Sequence, residues 1–160
     1  MNYMELAYKE AIKAMEEDEV PVGAVIVKNN KIIAKAHNKK EKNNNPMSHA
    51  EIECIKKATK KLNDWYLKDC ELYVTLEPCV MCVGAIINAR INKVYYAAKD
   101  LKSGALGGLF DLMKQKGFNH YFEYAYEEDY RCSEILTSYF KNKRKNKKIN
   151  TLKNNEIDVL

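Results

Sequence analysis

A chain of 160 residues, 46% hydrophobic and 31% charged, has room for one substantial core and is close to the usual size of a single domain. It has no internal repeat, no apolar run of membrane-spanning length and no signal-peptide pattern, which sets aside membrane and secreted classes and leads us to expect a cytoplasmic protein. The formal net charge of +5 is local: residues 141–148, KNKRKNKK, carry six basic side chains and leave a near-neutral body, which points to a positional polyanion contact or a solubilising end rather than a uniform basic coat.

Residues 3–17 set Met4, Leu6, Ala7, Ala11, Ile12, Ala14 and Met15 near a 3.6-residue period, which predicts an opening amphipathic helix closed before Pro21. PVGAVIV (21–27) and KIIAKAH (31–37) are β-rich runs that read as a hairpin across Lys28, Asn29 and Asn30. A polar loop, NKKEKNNNPM (38–47), follows. Ser48 stands three residues before Glu51, a capping-box pattern that predicts a helix to about Lys61 with His49 and Glu51 in its first turn. Next come a strand at 71–77 (ELYVTLE), a helix at 78–88 with Pro78 near its first turn, and a strand at 91–98 (INKVYYAA). A glycine-containing loop at 99–108 leads to a short helix ending near Gly117, then a last strand at 120–126 and a final helix at 128–147. The alternation predicts an α/β protein: a three-layer α/β/α sandwich on a five-stranded mixed sheet, with one catalytic domain over residues 1–148 and a frayed tail over 149–160.

Five cysteines, at 54, 70, 79, 82 and 132, do not suit a disulfide framework, because the count is odd and a chain of this size folds without staples. Cys79 and Cys82 form a C-x-x-C at a helix start. The pair suits a redox couple, half of a structural zinc site, or two of three ligands of a catalytic zinc completed by His49. No second C-x-x-C supplies a four-thiolate site. If the strands before the two helices are parallel neighbours, His49, Cys79 and Cys82 meet beyond their C-terminal ends, where helix amides favour thiolates. This geometry favours the catalytic arrangement. Cys54, five residues after His49, is turned roughly 140° away on the same helix and is a poor fourth ligand. H-x-E followed by P-C-x-x-C is also the pattern of zinc base deaminases. Glu51 is then a proton shuttle beside an open zinc, which lowers the pKa of its water to about 7.

PVGAVIV at 21–27, HN at 37–38, HAEI at 49–52, LYVTLEPCVMCVGAIINARI at 72–91 and AAKDLKSGALG at 97–107 together resemble the bacterial tRNA-specific adenosine deaminases, of the cytidine deaminase-like superfamily. The resemblance covers most of residues 1–145. It implies zinc-dependent hydrolytic conversion of adenosine to inosine at the wobble position of a tRNA-Arg anticodon, with one Zn2+ per subunit held by His49, Cys79 and Cys82, and Glu51 as proton donor and acceptor. It further implies that the Asn38 amide fixes the target nucleoside and that Val22 walls the base. Asp100, Lys102 and Ser103 lie in a loop beside the anticodon, and Phe140, Lys143 and Arg144 on a final helix near the flanking nucleotides. A homodimer built around residues 82–113 is implied as well.

A free guanine, cytosine or nucleoside deaminase shares the same metal pattern, and the 98–107 loop and basic terminal helix are what separate it from the RNA enzyme. For the RNA enzyme we expect a pocket too shallow to hold a free nucleoside well, with affinity drawn from flanking nucleotides and phosphates. A non-catalytic RNA-binding domain with structural zinc would require a fourth protein ligand.

Overall fold

Asn29 and Asn30 adopt positive φ (50° and 60°) between β1 (Gly23–Lys28) and β2 (Lys31–His37). This left-handed pair is what a two-residue hairpin needs and what asparagine tolerates. The computed structural model describes residues 1–157. The remaining strands are β3 (Cys70–Val74), β4 (Lys93–Tyr96) and β5 (Glu123–Tyr126), and the sheet order is β2-β1-β3-β4-β5. β1 is antiparallel to β2 and β3, whereas β3, β4 and β5 are parallel, which gives the expected five-stranded mixed sheet.

The two-residue period of β1 assigns the helices to faces. Ala24 and Ile26 pack with Ala50, Cys54 and Ala58 of α2 (Ala50–Leu62) and with Val83 and Ile86 of α3 (Val80–Ala89). Val25 and Val27 point the other way, toward Met4 and Ala7 of α1 (Tyr3–Glu16) and Cys132 at the start of α4 (Tyr130–Ile157). The result is the α/β/α sandwich. Ile26, Leu72 and Ile86 are fully buried, and each such side chain stabilises the fold by about 1.5–3 kcal/mol relative to exposure.

Several boundaries depart from expectation. His49, not Ser48, caps α2. Ser48 instead closes the 38–48 loop, its hydroxyl accepting from Asn43 Nδ2 at 3.2 Å and its carbonyl from Lys39 N–H at 3.0 Å. Pro78 lies before the cap of α3, which is Cys79. The short helix after the glycine loop is a single 3-10 turn, Leu112–Lys114. α4 does not stop near 147: no glycine or proline interrupts it, and it runs to Ile157, so the tail expected to fray is helical as far as it is described. Residues 158–160 of that tail lie outside the described residues.

β2 and β3, the strands preceding α2 and α3, are not neighbours, because β1 lies between them. Both are antiparallel to β1 and so share a direction, which still brings the starts of α2 and α3 to one edge of the sheet.

Candidate active site

His49 and Cys79 occupy equivalent positions, each in extended conformation at the N-cap of its helix, with ψ of 156° and 175°. Neither side chain caps its own helix, so imidazole and thiol are free to turn into the space between the two helix starts. Cys82, three residues on, is fully buried under the same point. A tetrahedral zinc with Zn–N of about 2.0 Å and Zn–S of about 2.3 Å separates nitrogen from sulfur ligands by about 3.5 Å. Nδ1 of His49 lies 3.6 Å from Cys79 Sγ and 3.5 Å from Cys82 Sγ, so the donor set fits the ion in chemistry and in span.

All three ligand atoms lie within 4.8 Å of one another, and among the described residues no fourth His, Cys, Asp or Glu joins them. Cys54 is directed away, its thiol facing the carbonyls of Ala24 and Ala34. Cys79 is lowered to about 4, first by the hydrogen bond from the Cys82 thiol and then by His49. Cys82 is raised, first by the hydrogen bond to Cys79 and then by burial. A dication bound between them would favour the ionised form of both thiols.

Glu51, 4% exposed, faces the same space from the first turn of α2. Burial raises its pKa, with the Cys82 thiol working against the rise. A carboxyl group that holds a proton easily, buried beside a three-ligand metal site, has the properties of a proton shuttle.

These groups form the floor of a cavity of about 790 Å³. This lies within the range of small-molecule clefts. Val22, Asn38, Asp100, Lys102, Ser103, Phe140 and Arg144 all line it, as do His49, Glu51 and Cys79. Asn38 is 6% exposed; its Oδ1 accepts from Lys40 N–H at 3.0 Å and its Nδ2 donates to the Val20 carbonyl at 3.3 Å, which leaves a second N–H available. Asp100 is occupied within its own loop: Oδ1 accepts from the amides of Lys102 (3.0 Å) and Ser103 (3.1 Å), and Oδ2 from the Ser103 hydroxyl (2.6 Å).

Lys143 is the one expected substrate residue placed elsewhere. One residue along a helix turns the side chain by about 100°, so Arg144 enters the cavity while Lys143 pairs with Asp18 at 2.8 Å in an adjoining groove.

Sequence reasoning missed four residues at this site or in the groove beside it. Lys40 and Lys99 add positive charge to the lining; Lys99 also sits inside the AAKDLKSGALG block that carried the resemblance, which was the available signal. Glu19 and Glu77, 1% and 2% exposed, each hold a loop through its backbone. Glu19 accepts from the amides of Glu41 (3.2 Å) and Lys42 (2.7 Å). Glu77 accepts from three amides of the 100–108 segment.

Comparison with known proteins places this geometry in context. The profile of the MafB19-like deaminase family matches residues 1–144. The chain is 44% identical to the tRNA-specific adenosine deaminase of Aquifex aeolicus (strain VF5) over 144 residues, which is 90% of this chain and 95% of that one. It is 46% identical to the Bacillus subtilis (strain 168) protein of the same name over 149 residues, 91% of each. Among solved structures, one from work on A-to-I editing by tRNA:A34 deaminases at the wobble position of transfer RNA superposes with a TM-score of 0.79 at 40% identity, covering 84% of this chain and 98% of that one. A Bacillus subtilis guanine deaminase superposes with a TM-score of 0.60 at 31% identity, covering 88% of this chain and 95% of that one. With two cysteines and a histidine at zinc spacing, a buried glutamate beside them and relatives of this identity along nearly its whole length, the chain belongs to the MafB19-like deaminase family, among the bacterial tRNA-specific adenosine deaminases.

Proposed function

We propose that the protein deaminates adenosine to inosine hydrolytically at the wobble position of a tRNA-Arg anticodon, using one zinc ion per chain. The observation that carries this is the convergence of His49, Cys79 and Glu51 on one cavity, with Cys82 buried beside them, whose walls include Lys40, Lys99, Lys102 and Arg144. Zinc held by His49 Nδ1 and the two sulfurs would supply Lewis-acid activation of water at neutral pH. Glu51 takes one proton of the attacking water and gives it to the adenine ring nitrogen as C6 becomes tetrahedral, then takes the proton of the new C6 hydroxyl and delivers it to the departing amine as the C6 carbonyl forms and the C–N bond breaks. Adenosine and water thus become inosine and ammonia. The free Asn38 N–H orients the nucleoside, and Val22 supplies an apolar wall. The exposed Phe140 is available for stacking, and Lys102, Ser103 and Arg144 for flanking phosphates. The distal basic helix adds salt-sensitive backbone contact.

A homodimer is part of this reading. Gly84 lies mid-helix with nothing within 4 Å of the Cβ it lacks, a costly choice inside α3 unless another surface approaches closely. It lines an exposed groove with Met47, Ile52, Val80, Met81 and Ala85. Five free thiols, two of them needed as metal ligands, suit the reducing cytoplasm. The catalytic domain is assigned to residues 1–148, with the end of α4 as its extension.

The cavity volume and the likeness to a guanine deaminase favour one second reading, a free-base or nucleoside deaminase. Ammonia release and inosine formation should be measured with a tRNA-Arg anticodon stem-loop, free adenosine, cytidine and guanine. Turnover of the RNA alone supports the proposal; efficient turnover of a free base with the RNA ignored overturns it. A structural zinc would require a fourth ligand, and among the described residues the donor set offers three.

A further inference from the structure

Glu77 is the last residue before Pro78-Cys79, and nothing in the mechanism uses it. Its carboxylate is 2% exposed and is wrapped by one loop. Oε2 accepts from the amides of Leu106 (3.1 Å) and Gly108 (2.9 Å), and Oε1 from that of Asp100 (3.4 Å). The loop is shaped around this group. A Cβ at Gly104 would lie 2.0 Å from Glu77 Oε2 and 2.5 Å from the Asp100 carbonyl; one at Gly108 would lie 2.7 Å from Oε2 and 2.2 Å from the same carbonyl. Only glycine admits the carboxylate at both places. A backbone bridge between Cys79 and Gly104, with Ala105 N–H donating to the Pro78 carbonyl at 2.9 Å, ties the segment to the start of α3.

The part of the loop so anchored is the cavity wall: Lys99, Asp100, Leu101, Lys102 and Ser103 all line it. Of these, Leu101 is 71% exposed, so the wall has little apolar packing of its own to hold it. A carboxylate that receives three amide hydrogens from a loop fixes that loop's backbone without touching the substrate.

We infer that Glu77 is a positioning residue for RNA, a buried anchor that holds the 99–108 wall against the zinc helix so that Lys102 and Ser103 meet the nucleotides flanking the target. The inference rests on the RNA reading above. The metal ligands and Glu51 are placed by α2 and α3, so loosening this wall weakens RNA capture far more than the chemical step.

The test compares wild type, Glu77→Ala, Glu77→Gln and Gly108→Ala, measuring kcat and KM on an anticodon stem-loop, zinc per chain, and amide hydrogen exchange at positions 100, 106 and 108. Glu77→Ala is expected to raise KM about tenfold or more while kcat changes by less than about threefold, corresponding to at least about 1.4 kcal/mol of weakened capture. Its zinc content stays at the wild-type level, and the three amides exchange faster. Glu77→Gln keeps one acceptor oxygen and rescues most of the KM. Gly108→Ala forces the loop off the carboxylate and behaves like Glu77→Ala, which keeps the test open if that variant does not fold. An unchanged KM, a loss confined to kcat with zinc retained, or loop amides equally protected in all four proteins overturns the inference. Exchange is read without substrate, so a wild-type protein inactive on RNA would defeat the proposed function while still reporting whether the anchor exists.

Discussion

His37, the last residue of β2, is held between two carboxylates: Nδ1 lies 2.8 Å from Glu10 Oε2 and Nε2 lies 3.0 Å from Glu17 Oε2. The Glu10 and His37 side chains are 7% and 8% exposed, and the next residue is Asn38 in the cavity. The hydrogen bond from His37 leads in lowering Glu10 from 4.5 to about 2, with burial opposing and Lys13 assisting. That lowering corresponds to about 3 kcal/mol at 1.36 kcal/mol per pH unit. Lys13, 54% exposed, shares the carboxylate, which leaves about 2 kcal/mol for the His37 interaction. Glu10→Gln should therefore cost about 2 kcal/mol near pH 6, or about 4–8 °C in Tm for a chain of this length.

The pH dependence has a definite sign. Glu10 is lowered, so its contribution is complete above 4.5 and is lost as pH falls toward 2. His37 is raised, chiefly by Glu10, so its contribution is complete below 6.5 and is lost as pH climbs through its elevated pKa. Urea denaturation from pH 2 to pH 9 on wild type, Glu10→Gln, His37→Gln and the double variant would read both limbs and the coupling between the residues. A Glu10→Gln protein within about 0.5 kcal/mol of wild type at pH 6, the scatter of ordinary surface changes, would refute the reasoning. So would a wild-type stability that does not fall between pH 6.5 and 9 relative to His37→Gln.

Glu51→Gln keeps the side-chain shape and removes the proton carrier; single-turnover inosine formation should fall by about 10²–10⁴ with zinc content, measured by elemental analysis, unchanged. Replacing Lys143, Arg144, Lys145 and Lys147 by glutamine should weaken stem-loop binding and lower the salt slope by up to about 3, at about 0.7 for each single-strand phosphate no longer neutralised. An unchanged slope in salt-titrated binding would make the helix end merely solubilising. Gly84→Arg should convert the protein to a monomer in analytical ultracentrifugation, because an arginine there would project into the groove that a second copy is expected to fill.

What the sequence disclosed follows from the range over which each feature is determined. The meeting of His49, Cys79 and Cys82 as a candidate metal site, with Glu51 beside it, is legible because helix starts are local, and a histidine, a carboxylate and two thiols carry their chemistry in their identity. The hairpin at Asn29 and Asn30 was legible for the same reason. The insertion of β1 between β2 and β3 was not, because strand neighbours are chosen by packing across the whole sheet. Ser48 looked like a cap because capping residues and loop-closing residues are the same types. Glu19 and Glu77 were invisible because their partners are backbone amides, which every residue but proline possesses. Lys143 and Arg144 were indistinguishable as charges, and only the helix phase separates them.

Catalysis in this reading depends most directly on an ion held by one imidazole and two sulfurs with a coordination position open. Zinc per chain and wobble inosine should be measured in a single preparation, before chelation, after it and after zinc is restored, with X-ray absorption reporting the ligands. The expected result is one zinc on one nitrogen and two sulfurs of the protein, loss of inosine formation on chelation and its return on reconstitution. Inosine formed at full rate by the metal-free protein, or a fourth protein side chain bound to the ion, would contradict it.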